Sequence, residues 1–267
     1  SKSILMVVLG GLMLNLPNRF NFEGQSVAWG VIGEGKPLVL IHGTPFSSQV
    51  WRKIAPLIAS KYKVYFFDLL GYGLSEKSDH QNVSLEVQNR LLVALLNEWK
   101  LTEPALRAYY LNSIRFSKLT IIDPVAIAPW GSPFVQHVRQ YDAAFSGLPE
   151  FAHNALLADY LQTSAFSVLT QEALEIYMKP WQGKEGQAAF YRQIAQMDQV
   201  YTDEIESLYY QMDNIQLLWG EKDEWIPLSQ GKRFAQMVAD NQLIVVPNSG
   251  HLMQEDAPEA IIAALLL

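Results

Sequence analysis

Two side chains late in the sequence have the types and the placement for nucleophilic chemistry. Asp223 lies eight residues after Ile215, the start of the apolar run Ile215–Trp219, and His251 lies five residues after Val246, which closes the run Gln242–Val246. Each sits in the turn that follows a strand-like run: Gly220-Glu221-Lys222-Asp223 and Pro247-Asn248-Ser249-Gly250-His251. A carboxylate and an imidazole so placed suit one kind of chemistry. The acid holds one tautomer of the ring and stabilises the imidazolium, and the ring activates a nucleophile or a water. Asp123 also ends a strand-like run, Leu119–Asp123, and is the alternative acid. Asp223 has a plainer reading too, as a capping carboxylate ahead of Pro227.

A third turn of this kind, His42-Gly43-Thr44-Pro45, closes the run Leu38–Ile41. Gly43 reaches backbone angles closed to other residues, and Pro45 fixes its own φ and removes a donor. His42 is expected to shape this turn rather than to carry protons, and Asp68, Gly71 and Gly73 to build the next one. Ser47, Ser48 and Ser75 are poor nucleophiles, since none stands on a steep turn. The sequence has no Cys, which excludes a disulfide, a zinc–thiolate site and a Cys nucleophile. Five His without an HExxH pattern give no support to a metal centre, and neither metal nor cofactor is expected.

The elements that must position these groups alternate. Arg19–Glu23 and Gln25–Ile32 flank Gly24 as a hairpin, and Pro37–Ile41 reads as a strand buried on both faces. Trp51–Ser60 carries apolar residues at helical spacing, Lys63–Leu69 is a second buried strand, and Ser84–Trp99 is an amphipathic helix with Ser84 at its cap. From 125 to 212 no buried strand is evident. Helical stretches follow one another there, with Ser132-Pro133, Thr170 and Thr202 as starts and many aromatic residues. Strands return at Ile215–Trp219 and Gln242–Val246, with a helix over Leu228–Val238, and Pro258–Leu267 closes the chain as a helix. The pattern predicts an α/β fold: a mostly parallel sheet with helices on both faces (19–124 and 213–267) and an inserted helical cap (125–212).

Length and composition agree with one large core. The chain has 267 residues, 49% of them apolar and 18% charged, so a sizeable core is available. A net charge of −7 disfavours nucleic acid or an anionic membrane as the main partner. The apolar stretch Ile4–Leu16 is 13 residues long, short of the ~20 that a spanning helix needs, and is read as an extra N-terminal segment (1–18) packed on the body. A cytoplasmic location is favoured, with export or membrane association left open by that stretch.

Taken together, HGTP with Trp51 downstream (His42–Trp51), DLLGYGLS (Asp68–Ser75), WGEKDEWIP (Trp219–Pro227) and NSGH (Asn248–His251) resemble the α/β-hydrolase family over roughly residues 19–267. The HGxP turn with Ser47, Ser48 and Trp51 is most similar to the cap-bearing branch of haloalkane dehalogenases and epoxide hydrolases. The resemblance implies Asp223 as triad acid, His251 as base and the Thr44 backbone N–H as an oxyanion-hole donor. It implies a pocket at His42 and Gly43 under the cap, with Trp130 and Trp181 as donors to a leaving halide. Thr44 stands where many dehalogenases carry Asn, which weakens the halide reading.

The family also requires a nucleophile elbow, G-x-nucleophile-x-G, on a strand-to-helix turn. The sequence holds none: Gly71-Tyr72-Gly73-Leu74-Ser75 has the wrong spacing, and Asn112-Ser113-Ile114 lacks the glycines. Lys100–Pro104 resembles the lead-in to the elbow strand and Ala105–Leu111 the helix after it, so roughly a dozen residues are missing between Pro104 and Ala105. A stretch left out of this sequence, a genuine deletion that inactivates the chain, and a nucleophile elsewhere explain this, in that order. The expected function is hydrolysis of a small apolar substrate, a carboxylic ester first. The alternatives are a haloalkane dehalogenase or epoxide hydrolase with an Asp nucleophile, and a catalytically dead ligand-binding protein. The sequence leaves the oligomeric state open.

Overall fold

The computed structural model describes residues 13–101, 118–126, 129–212, 214–238 and 242–267. The Pro104–Ala105 junction, Ala105–Leu111 and most of Ile4–Leu16 lie outside them. Strands β1 (Asn18–Phe22), β2 (Gln25–Ile32), β4 (Tyr62–Phe67) and β3 (Lys36–Ile41) form one sheet in the order β1-β2-β4-β3. Strands β5 (Leu119–Ile122), β6 (Ile215–Gly220) and β7 (Leu243–Val246) form a second, in that order. β1 and β2 are the antiparallel hairpin, and β2 runs antiparallel to β4. β3–β4, β5–β6 and β6–β7 are parallel.

The period-two alternation of strands decides which helix each side chain meets. Along β4, Val64 and Phe66 join a core with Ile54, Ile58 and Ile261, whereas Tyr65 and Phe67 pack with Val87, Leu91 and Leu95. The latter three lie on α2 (Leu85–Glu98), whose apolar residues at helical spacing cover one face of the sheet. Ile54 and Ile58 flank or end the single turn α1 (Ala55–Ile58), and Ile261 belongs to α10 (Pro258–Leu266). Beside β6, α8 (Leu228–Met237) packs Phe234 against Leu217 and Trp219.

Between β5 and β6 the chain makes α3 (Pro133–Ser146), α4 (Glu150–Thr163), α5 (Gln171–Met178), α6 (Gly183–Ala195) and the single turn α7 (Val200–Asp203). Among the described residues there is no strand in this stretch. Thr170 caps α5 by accepting from the Ala173 N–H at 3.1 Å. The short α9 (Met253–Asp256) follows His251 directly. Gln49 accepts from the Leu14 N–H at 2.8 Å and donates to the Leu14 carbonyl at 2.9 Å, which pins the chain ahead of β1, and Leu16 is buried in the main core. Among the described residues no helix is long and apolar enough to cross a membrane.

Three local expectations need correction. Trp51–Ser60 is not one helix: a 3-10 turn over Ser48–Trp51 precedes α1. Thr202 lies within α7 and does not cap it. β3 is not buried on both faces, and Ile41 at its end is 43% exposed. An apolar run gives the type of strand but not which of its faces other segments cover.

Candidate active site

The ends of β6 and β7 bring Asp223 and His251 together. At Gly220 a Cβ would stand 2.2 Å from the Gly250 carbonyl oxygen, so the two turns meet only because no side chain separates them. Glu221 N–H donates to Val246 O at 2.9 Å and Lys222 N–H to Ser249 O at 2.8 Å, stitching the turns in register. Asp223 is buried, and its Oδ1 accepts from the backbone N–H groups of Trp225 and Ile226, each at 2.8 Å. Its Oδ2 lies 2.9 Å from His251 Nδ1. Facing a carboxylate oxygen, Nδ1 carries the ring proton and donates it, which leaves the Nε2 lone pair as the basic site. The Trp225 ring lies 5.1 Å from the His251 ring, centroid to centroid. His251 lines a cavity of about 550 Å³ together with His42, Gly43, Thr44, Phe46 and Asp123, and its walls also include β3 from Pro37 to Ile41 and β5 from Leu119 to Ile122.

Asp123, the alternative acid, is buried at the end of β5 with a left-handed backbone (φ 44°). Its Oδ1 accepts from the Gly220 N–H at 2.8 Å. Burial first, and then the neighbouring Asp223 charge, push its pKa up to about 9, so it is neutral at pH 7. Of the two candidate acids, only Asp223 has a hydrogen bond to His251 among the described residues.

The corner after β3 uses its histidine differently. The Leu69 N–H donates to His42 Nε2 at 3.0 Å, so the proton sits on Nδ1 and is donated to the Gly43 carbonyl, also at 3.0 Å. Burial lowers the His42 pKa, partly opposed by the charge of Asp68. Asp68 accepts from Ser48 N–H and Leu74 N–H, each at 2.8 Å, and from the Ser48 hydroxyl at 2.7 Å. The Ser75 hydroxyl donates to the Asp68 carbonyl at 2.7 Å, and Ser47 Oγ accepts from the Gln49 N–H at 3.3 Å. These three serines are buried and engaged in turn architecture.

Thr44 lies at the cavity edge, and its backbone N–H makes no hydrogen bond among the described residues. Its hydroxyl donates to Gln193 Oε1 of α6, which the Tyr72 hydroxyl also reaches, at 3.1 Å. Neither Tyr72 nor Gln193 was singled out from the sequence. Tyr72 stood inside the DLLGYGLS motif, but Gln193 is one of many glutamines on helical stretches and carried no signal.

The two tryptophans depart from expectation. Trp181 is buried, and its indole N–H donates to the Pro45 carbonyl at 2.7 Å, so it is not free for a halide. Neither Trp130 nor Trp181 lines the His251 cavity. The aromatic pattern could not show which ring faces inward. No cluster of His, Asp and Glu suited to a metal ion occurs among the described residues.

With this geometry in view, comparison with known proteins is informative. Residues 36–258 match the alpha/beta hydrolase fold family. The crystal structure of an alpha/beta hydrolase fold protein from Burkholderia ambifaria is 54% identical, covers 96% of this chain and 98% of its own, and superposes with a TM-score of 0.91. The uncharacterized hydrolase YugF of Bacillus subtilis (strain 168) is 26% identical over 84% of this chain and 86% of its own length. A loop variant of the haloalkane dehalogenase DbeA from Bradyrhizobium elkanii shares the fold at 20% identity, with a TM-score of 0.70 over 93% of this chain and 94% of its own.

Proposed function

The chain belongs to the alpha/beta hydrolase fold family, and from that premise we propose that it hydrolyses small, apolar carboxylic esters without a cofactor. The observation that carries this reading is the His251–Asp223 hydrogen bond of 2.9 Å at the wall of a cavity shared with the His42–Thr44 corner. Asp223 holds His251 with Nδ1 protonated. Nε2 then takes a proton from the attacking group, and the Asp223 charge stabilises the imidazolium that forms. The Thr44 backbone N–H is the donor offered to the carbonyl oxygen as it gains charge. The first attack forms an acyl intermediate as the ester C–O bond breaks and the alcohol leaves with the proton from His251 Nε2; water, deprotonated by the same imidazole, then releases the acid and frees the attacking group. Ser47, Ser48 and Ser75 are engaged in turns, so none of these three makes the first attack.

Ester chemistry is preferred to carbon–halogen cleavage because neither expected halide donor serves this cavity: the Trp181 N–H is bound to Pro45, and Trp130 does not line it. A second reading, a ligand-binding protein without turnover, is favoured by one observation: the sequence lacks the G-x-nucleophile-x-G elbow. Turnover of p-nitrophenyl butyrate tests both. The ester reading expects turnover that His251→Ala abolishes. Tight binding of an apolar ligand by a protein that hydrolyses no ester favours the second, and chloride or bromide release from haloalkanes would replace the ester by a halide.

A further inference from the structure

The turn that joins α4 to α5 in the cap grips both halves of the Asp223–His251 pair. On the histidine side, the residues flanking His251 are each tied to this turn. Gly250 N–H donates to Asp256 Oδ2 at 2.8 Å, and that same oxygen accepts from the Phe166 N–H at 2.8 Å. Asp256 Oδ1 accepts from the Ser167 N–H at 2.9 Å. Leu252 N–H donates directly to the Ser164 carbonyl at 2.9 Å. Ser164 is fully buried, and a Cβ on Gly250 would meet the Ser164 oxygen and the Phe166 nitrogen at 2.9 Å, so the turn lies flat against the backbone just before His251.

On the carboxylate side the link runs through Trp225. Its backbone N–H donates to Asp223 Oδ1, while its indole N–H donates to the Thr163 hydroxyl at 2.9 Å. Its ring also stacks on Tyr160 of α4, with centroids 4.7 Å apart.

We propose that the Thr163–Ser167 turn, held by Asp256, is a positioning device for the Asp223–His251 pair, with Asp256 the positioning residue on the base side and Thr163 the one on the acid side. The cap is thereby more than a roof over the pocket: its seating and the alignment of the base are one mechanical unit. Misplacement of a reacting group by about 1 Å costs of order a hundredfold in rate, so a clamp on both turns has ample leverage on turnover. The inference rests on the catalytic reading of the pair, but its test is separable from that reading.

Two substitutions test it. In Asp256→Asn one oxygen acceptor becomes an NH2 that opposes a backbone donor. Thr163→Val keeps the shape at an exposed position and removes the acceptor for Trp225, together with the hydroxyl's own bond to the Tyr160 carbonyl. The readouts are kcat and KM on p-nitrophenyl butyrate and the low-field proton resonance of His251 Nδ1–H. Asp256→Asn is expected to lower kcat at least about tenfold with KM within about threefold, and to broaden or shift the resonance. Thr163→Val is expected to lower kcat about two- to fivefold, the scale of one lost hydrogen bond, again with a shifted resonance. A loss carried by KM, or an unchanged resonance in the folded variants, overturns the proposal. If Asp256→Asn does not fold, Thr163→Val decides alone. If the unsubstituted protein hydrolyses no ester, the hydrolase reading fails, and the resonance by itself decides whether the turn positions the pair.

Discussion

Two histidines follow strand ends, His42 after β3 and His251 after β7, and their rings are employed in opposite ways. Both nitrogens of His42 are engaged by backbone, one accepting from Leu69 and one donating to Gly43, and the ring is almost wholly buried. Among the described residues His251 engages Nδ1 alone, on a carboxylate, and the residue lines a cavity. The first arrangement cross-links two turns and has no lone pair left to use. The second is a base with a fixed tautomer. Residue type and strand-end position are the same in both, so the difference lies in the partners: a backbone donor consumes a lone pair, and a carboxylate at the opposite nitrogen preserves one.

That contrast can be broken in several ways. His251→Ala is expected to lower kcat/KM for aryl esters by 10³-fold or more, and Asp223→Asn by about 10²- to 10⁴-fold, with the thermal midpoint little changed. Turnover that survives either substitution removes that residue from the mechanism. Next in size is the buried ion pair that anchors α9 just after His251. Arg52 lies 2.5 Å from Glu255, both with side chains 7% exposed, and Tyr177 and Lys53 also bond Glu255. Burial alone would raise the Glu255 pKa, but Arg52, Lys53 and Tyr177 outweigh it and hold it below the usual carboxylate value. Glu255→Gln strands the Arg52 charge and is expected to cost about 3–5 kcal/mol in chemical denaturation. In the unsubstituted protein this contribution is present above pH ~4.5 and fades as pH falls through the lower folded value.

His42→Ala leaves the Leu69 N–H and Gly43 carbonyl without partners and is expected to cost about 1–3 kcal/mol per unsatisfied group. Its effect on kcat should be smaller than that of His251→Ala; an equal loss of activity would erase the contrast between the two rings. The smallest effect sharpens the assignment of the acid. Asp123 is protonated in the folded state up to about pH 9 and titrates near pH 4 when unfolded. The folded protein therefore binds the extra proton between those values, and stability falls as pH rises across that window. Asp123→Asn removes this slope, so its thermal midpoint should exceed that of the parent at pH 8 and converge with it near pH 4. A kcat loss as large as that of Asp223→Asn would make Asp123 the working acid.

Much of the fold was legible because it depends on local periodicity. The β1–β2 hairpin around Gly24, the amphipathic α2, the strand-end turns and the strand-free stretch between β5 and β6 all follow from spacing that any buried face imposes on a chain. The burial of β3 was not legible. Leu38-Val39-Leu40-Ile41 has the composition of a buried strand, yet Ile41 at its end is 43% exposed. β4, paired on both edges, buries Val64 to Phe67, and composition alone does not show which faces other segments will cover. The same limit hid Gln193, Asp256 and Thr163, whose roles depend on residues far along the chain.

By itself the sequence determined which chemistry this protein could carry: an imidazole and a carboxylate at strand ends, no thiol, and a His-Gly corner. Only the tertiary structure decided that Asp223 rather than Asp123 reaches His251, that the Trp181 N–H is already taken, and that a turn of the cap grips both members of the pair. The physical reason is that side-chain identity and strand periodicity are local properties. Which lone pair is consumed, which carboxylate is charged and which backbone groups meet are set by contacts between segments that the chain order keeps far apart.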